Sequence, residues 1–73
     1  MRRLDPSKFS KALGLRLRGL RNRRGWTLEQ TEEHGWPSWR HLQKIEAGKN
    51  ITVQTLVNLA NLYDVPPSEL LKF

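Results

Sequence analysis

Residues 27–48 read Thr27-Leu28-Glu29-Gln30-Thr31-Glu32-Glu33-His34-Gly35-Trp36-Pro37-Ser38-Trp39-Arg40-His41-Leu42-Gln43-Lys44-Ile45-Glu46-Ala47-Gly48. Thr27, with Gln30 three residues on, is a helix start; Gly35-Trp36-Pro37 is a break; Ser38 is a second start and Gly48 a stop. The stretch predicts two short helices, Leu28–His34 and 38–47, joined by a tight turn. On the second, Leu42 and Ile45 point inward. With Leu42 at the origin and about 100° per residue, Arg40 and Lys44 fall opposite it and His41 and Gln43 flank them. Trp39 lies between the faces and is expected to pack against the preceding helix.

Working outward, Asp5-Pro6 opens a first helix that Gly25 ends, with Phe9, Leu13, Leu17 and Leu20 on one stripe and Leu15 on the opposite side. Thr52 caps a fourth helix, with Val53, Leu56, Leu59, Ala60 and Tyr63 expected inward. Asp64-Val65-Pro66-Pro67 breaks the chain, and Pro67–Lys72 forms a last turn carrying Leu70 and Leu71. The fold class is all-α, with five helices in one domain over residues 1–73. Residues 1–5 are expected to be a mobile basic arm. A 73-residue chain without cysteine has no disulfide or thiolate metal site to supplement a thin core.

Charge is uneven. Residues 1–25 hold nine cations (Arg2, Arg3, Lys8, Lys11, Arg16, Arg18, Arg21, Arg23, Arg24) against Asp5 alone, whereas residues 26–46 set Arg40 and Lys44 against Glu29, Glu32, Glu33 and Glu46. A basic block of this kind suits a polyanion, because each neutralised phosphate releases counterions. Arg and Lys donate to guanine O6 and N7, and Gln pairs with adenine, so Arg40, His41, Gln43 and Lys44 form a candidate base-reading face. Arg21 and Glu46 each lie beside the inward stripe of their helix. Two opposite charges aimed at one small core are costly apart, so they are expected to pair. His34 and His41 have no carboxylate at ligand spacing, and there is no glycine-rich phosphate loop or paired-carboxylate pocket. No metal, cofactor, small-molecule substrate or catalysis is expected. No membrane span or signal peptide is apparent, and the cytoplasm is the expected compartment.

These residues resemble the Cro/phage-repressor type of helix-turn-helix regulator, the XRE family, over roughly Leu13–Leu71. The similar pieces are Leu13-Gly14-Leu15-Arg16-Leu17, Gly25-Trp26-Thr27, Ile45-Glu46-Ala47-Gly48, Thr55-Leu56-Val57-Asn58-Leu59-Ala60 and Val65-Pro66-Pro67-Ser68-Glu69-Leu70. The resemblance implies a five-helix, phage-repressor-like DNA-binding domain that reads the major groove of double-stranded DNA with helix 38–47. It places Trp39, Arg40, His41, Gln43 and Lys44 at bases and Thr27, Ser38, Lys49 and Asn50 at phosphates. It also implies a cytoplasmic repressor or other transcription regulator that acts as a homodimer, and a buried Arg21–Glu46 pair. The sequence departs from the family pattern at Leu28, Thr31 and Glu32. Glu32 occupies an inward position, so a cation from Arg40 or Lys44 is expected to meet it. The alternative reading is a protein-interaction module of the same fold, an antitoxin or a bridging coactivator.

Overall fold

The computed structural model describes residues 3–73; Met1 and Arg2 of the expected arm lie outside the described residues. Four α-helices and one 3₁₀ helix follow in order: α1 (Pro6–Arg23), η1 (Glu29–His34), α2 (Trp39–Glu46), α3 (Val53–Tyr63) and α4 (Pro67–Leu70). The expected all-helical, five-element architecture is what forms. Each start has a local cause. The Ser7 N–H donates to Asp5 Oδ1 at 2.9 Å, with Pro6 at the first helical position. The Thr55 N–H donates to Thr52 Oγ1 at 3.1 Å. The Thr27 N–H donates to Gln30 Oε1 at 2.8 Å, and the Gln30 N–H returns to Thr27 Oγ1 at 3.2 Å, a reciprocal box that fixes how the chain enters η1.

The segment after Thr27 is 3₁₀, not the expected α-helix from Leu28. The Thr31 hydroxyl donates back to the Leu28 carbonyl at 2.5 Å, and the Thr31 N–H bonds the same oxygen at 3.1 Å, which favours three-residue closure over four. Thr31 is thereby satisfied while fully buried. A three-residue period also brings Leu28, Thr31 and His34 to one edge, where His34 stacks on Trp26 at 3.8 Å.

The core gathers Leu13, Leu17 and Leu20 from α1, Leu42 and Ile45 from α2, Leu59, Ala60 and Tyr63 from α3, and Leu70 from α4. Trp36 joins it from the turn. Two expected inward residues are exposed. Val53 is 78% exposed because it opens α3 beyond the point where that helix meets the core. Phe9, one turn ahead of Leu13, lies past the core and meets the Phe73 ring edge-on at 5.0 Å. Leu15 is exposed, as expected.

Arg24 ties the end of α1 to α3. Its guanidinium donates to the Tyr63 carbonyl and lies 5.2 Å from the Tyr63 ring centroid and 5.8 Å from that of Trp26. The Tyr63 side chain is fully buried and its hydroxyl has no hydrogen-bond partner among the described residues. Burial, reinforced by Glu46 and opposed by Arg21 and Arg24, pushes its phenol up to about 12. The folded state therefore holds this proton more tightly than the unfolded chain. The stability that depends on the neutral phenol is intact below about pH 10 and is lost as pH rises toward about 12. Tyr63 is the only tyrosine, so phenolate absorbance reads it alone. The expected titration midpoint lies well above that of a free phenol; a midpoint near 10 would mean that the ring is solvated.

Candidate nucleic-acid interface

α2 is eight residues long, and its place in the molecule is set at both ends. At its start, Ser38 Oγ accepts the His41 N–H at 3.4 Å and Glu32 Oε2 accepts the Trp39 N–H at 2.8 Å. This corrects the expectation for Glu32. It is exposed rather than buried, and it meets a helix N-terminus instead of Arg40 or Lys44. The cause is the 3₁₀ turn, which swings position 32 out of the core while Thr31 stays in it. An N-terminal carboxylate is favoured by the helix dipole, so no cation is needed.

At its other end α2 is held by α1. Arg21 Nε and Nη2 donate to Glu46 Oε2 and Oε1 at 2.8 and 2.9 Å, and Arg21 Nη1 donates to the Trp26 carbonyl at 2.9 Å. The Glu46 side chain is 2% exposed and that of Arg21 12%. Two parallel charge-assisted bonds suit the planar guanidinium, and the Glu46 carboxylate raises the Arg21 pKa against the opposing effect of burial. Arg18, mostly solvated, adds a weaker contact to Glu46 at 3.5 Å. Seven residues before Arg21, Gly14 brings the α1 backbone against the last carbonyls of α2. A Cβ there would lie 2.4 Å from Glu46 O and 2.7 Å from Ile45 O.

What α2 turns outward is Arg40, Gln43 and Lys44, all exposed. Neither cation takes part in an ion pair among the described residues. The Arg40 guanidinium lies 5.4 Å from the centroid of the half-buried Trp39 ring. His41 is half-buried, its ring nearly parallel to Trp36 with centroids 5.9 Å apart, so it stands at the edge of this face. Thr27, Lys49 and Asn50 are exposed and Ser38 is half-buried. The backbone N–H groups of Thr27 and Gln30, and those of Trp39 and His41, are already donated to side chains. Thr27 and Ser38 also have hydroxyl protons to present to an anion.

The basic block of α1 divides into two groups. Arg16 is held at α4 by the Glu69 carbonyl at 2.9 Å and its carboxylate at 3.5 Å; Arg21 and Arg24 are committed as described. Lys8, Lys11, Arg18 and Arg23 are exposed. Lys72, 2.7 Å from the Glu69 carboxylate, holds that carboxyl below its ordinary range. Composition could not separate the two groups, because all three committed arginines use backbone carbonyls, which a count of acids does not register. Among the described residues no cluster of three His, Cys, Asp or Glu side chains forms a metal site, and no helix is long and apolar enough to cross a membrane.

The sequence profile described as a helix-turn-helix domain matches residues 12–73. A solved structure described as the crystal structure of the DNA-binding domain of BldD superposes with a TM-score of 0.82 at 38% identity, over 90% of this chain and 97% of that one. No curated protein sequence matches the chain.

Proposed function

This chain belongs to the helix-turn-helix domain family, and from that we propose that it is a sequence-specific transcription regulator that reads the major groove of double-stranded DNA with α2. The observation that carries this reading is the outward face of α2. Arg40, Gln43 and Lys44 are solvent-exposed, drawn to no acidic partner among the described residues, and mounted on a helix that Glu32, Ser38 and Glu46 hold at both ends. A groove-reading helix needs free donors on a rigid support, since donors already paired have nothing left for a base edge. The relationship to a DNA-binding domain over nearly the whole chain supports the same conclusion.

In this proposal Arg40, Gln43 and Lys44 meet base edges, with Trp39 and His41 bordering them. Thr27, Ser38, Lys49 and Asn50 meet phosphates. The protein acts as a homodimer in the cytoplasm by occupying DNA, without catalysis. The exposed apolar residues Leu4, Phe9, Leu71 and Phe73 offer a face for self-association. Two copies of α2 then enter successive major grooves at half-sites about 34 Å apart.

Selection of bound duplexes from a random pool, repeated at two salt concentrations, tests the reading. Recovery of one recurring motif at both concentrations is the expected result. Recovery of unrelated sequences whose binding vanishes together as salt rises would leave only a general polyanion binder. Arg40→Ala is expected to weaken binding to the selected motif by about 1–3 kcal/mol and to relax preference at one base position. Equal weakening on every sequence would move Arg40 from the bases to the phosphate backbone.

A further inference from the structure

The first half of α1 and the loop after α2 meet in a way that the helix-turn-helix unit does not account for. The Ser10 hydroxyl, 8% exposed, donates to Asn50 Oδ1 at 3.0 Å across forty residues of chain. One residue on, the stem of Lys11 lies over Gly48. A Cβ at Gly48 would come within 2.8 Å of Lys11 Cγ, and the backbone there has a left-handed φ of 108°. Two residues of α1 are therefore seated on the loop segment Gly48-Lys49-Asn50. Oδ1 of Asn50 is taken by Ser10, and its carboxamide N–H donors enter no hydrogen bond among the described residues. Lys11 is exposed and has no ion pair among the described residues. No acidic residue occurs between Pro6 and Leu28 or between Ala47 and Tyr63, and the one carboxylate nearby, Glu46, is buried against Arg21.

We propose that Lys11, with Lys49 and with Asn50 oriented by Ser10, forms a composite phosphate-binding edge in which α1 grips the duplex backbone beside the groove that α2 enters. The inference rests on the DNA-reading role of α2 proposed above. Lys11 supplies the charge and Ser10 is a positioning residue that acts through Asn50. A cation beside the C-terminal end of α2 is also favoured by the helix dipole. That purely structural role predicts a change in thermal stability and none in salt dependence, so the two are separable.

The test measures affinity of the full chain for its selected duplex and for a mixed-sequence duplex across a salt series. Lys11→Gln keeps a stem over Gly48 and removes the charge. It is expected to reduce the slope of log affinity against log salt by about one on both duplexes, so that its deficit grows about eightfold for each tenfold dilution of salt. Ser10→Ala is expected to weaken binding several-fold at unchanged slope, because it loosens a neutral donor and alters no charge. Arg23→Gln removes an equal charge about 18 Å further along α1 and should leave the slope alone. An unaltered slope in Lys11→Gln overturns the inference, as does an equal fall in Arg23→Gln, which would report net charge and not contact. Either result leaves the DNA-reading proposal standing. Absence of salt-dependent binding by the unsubstituted chain would overturn that proposal instead.

Discussion

Gly14→Ala is expected to destabilise the fold by about 2–4 kcal/mol, although the same exchange in a helix interior ordinarily gains up to about 1 kcal/mol. The sign reverses because of what the new methyl meets. Its contacts, at 2.4, 2.7 and 2.8 Å, are Glu46 O, Ile45 O and Glu46 C, all backbone. A side chain can change rotamer to make room, but a helix carbonyl cannot. α1 and α2 must separate, and the Leu13, Leu17, Leu42 and Ile45 contacts loosen with them. Gly19, five residues along the same helix, is exposed and has nothing within 4 Å of a built Cβ. Gly19→Ala should therefore stabilise by about 0.5–1 kcal/mol. Denaturant unfolding of the two variants checks both at once. A Gly14→Ala protein as stable as the original would show that the helices do not approach this closely.

Glu46→Ala carries the second large effect, an expected loss of about 2–4 kcal/mol. Removing one member of a buried ion pair strands the other, and the Arg21 side chain is only 12% exposed. The upper end of the usual range is tempered here, because Arg21 keeps its bond to the Trp26 carbonyl and its edge position offers a route to water. Glu46→Gln retains shape and one acceptor and should lose less. In a double-mutant cycle with Arg21→Ala, the combined loss is expected to fall well short of the sum of the single losses, since stranding contributes to each single variant and to neither half of the double. Additive losses would mean that the two groups act separately.

Much of the fold was legible because its determinants are local. The Leu13, Leu17 and Leu20 stripe is a matter of helical spacing, and Thr27, Gln30, Ser38 and Thr52 act within three residues of where they stand. The meeting of Arg21 and Glu46 follows from two opposite charges at the edge of a small core. Properties that depend on where two elements end up relative to each other were not legible. Glu32 occupies an inward position on an α-helical wheel, but the chain there winds as 3₁₀, so its carboxylate reaches the Trp39 N–H instead. Phe9 and Val53 keep the period of their helices yet extend beyond the core those helices share. Trp36 sits in a break between helices, where pattern gives no reason to expect a core residue, and it is 5% exposed. For the interface, the exposure of Arg40, Gln43 and Lys44 followed from angles alone, whereas the half-buried place of His41 beside Trp36 did not. The commitment of Arg24 to a carbonyl and the seating of Lys11 on Gly48 depend on how α1 lies against α3 and the loop after α2, which no local pattern specifies.

Gly14 and Arg21 attach α1 to α2 at two points about 10 Å apart along one rod. Both bear on the last turn of α2, at Ile45 and Glu46, while the Glu32 carboxylate holds its first turn through the Trp39 N–H. In the proposed DNA-reading role, a helix fixed at both ends has little room to tilt on its mount, and a duplex that admits it does so at close to one angle. The burden of misfit then passes to the duplex, in bending and groove width, where the stiffness of base steps lying outside the contacts weighs on the choice of site.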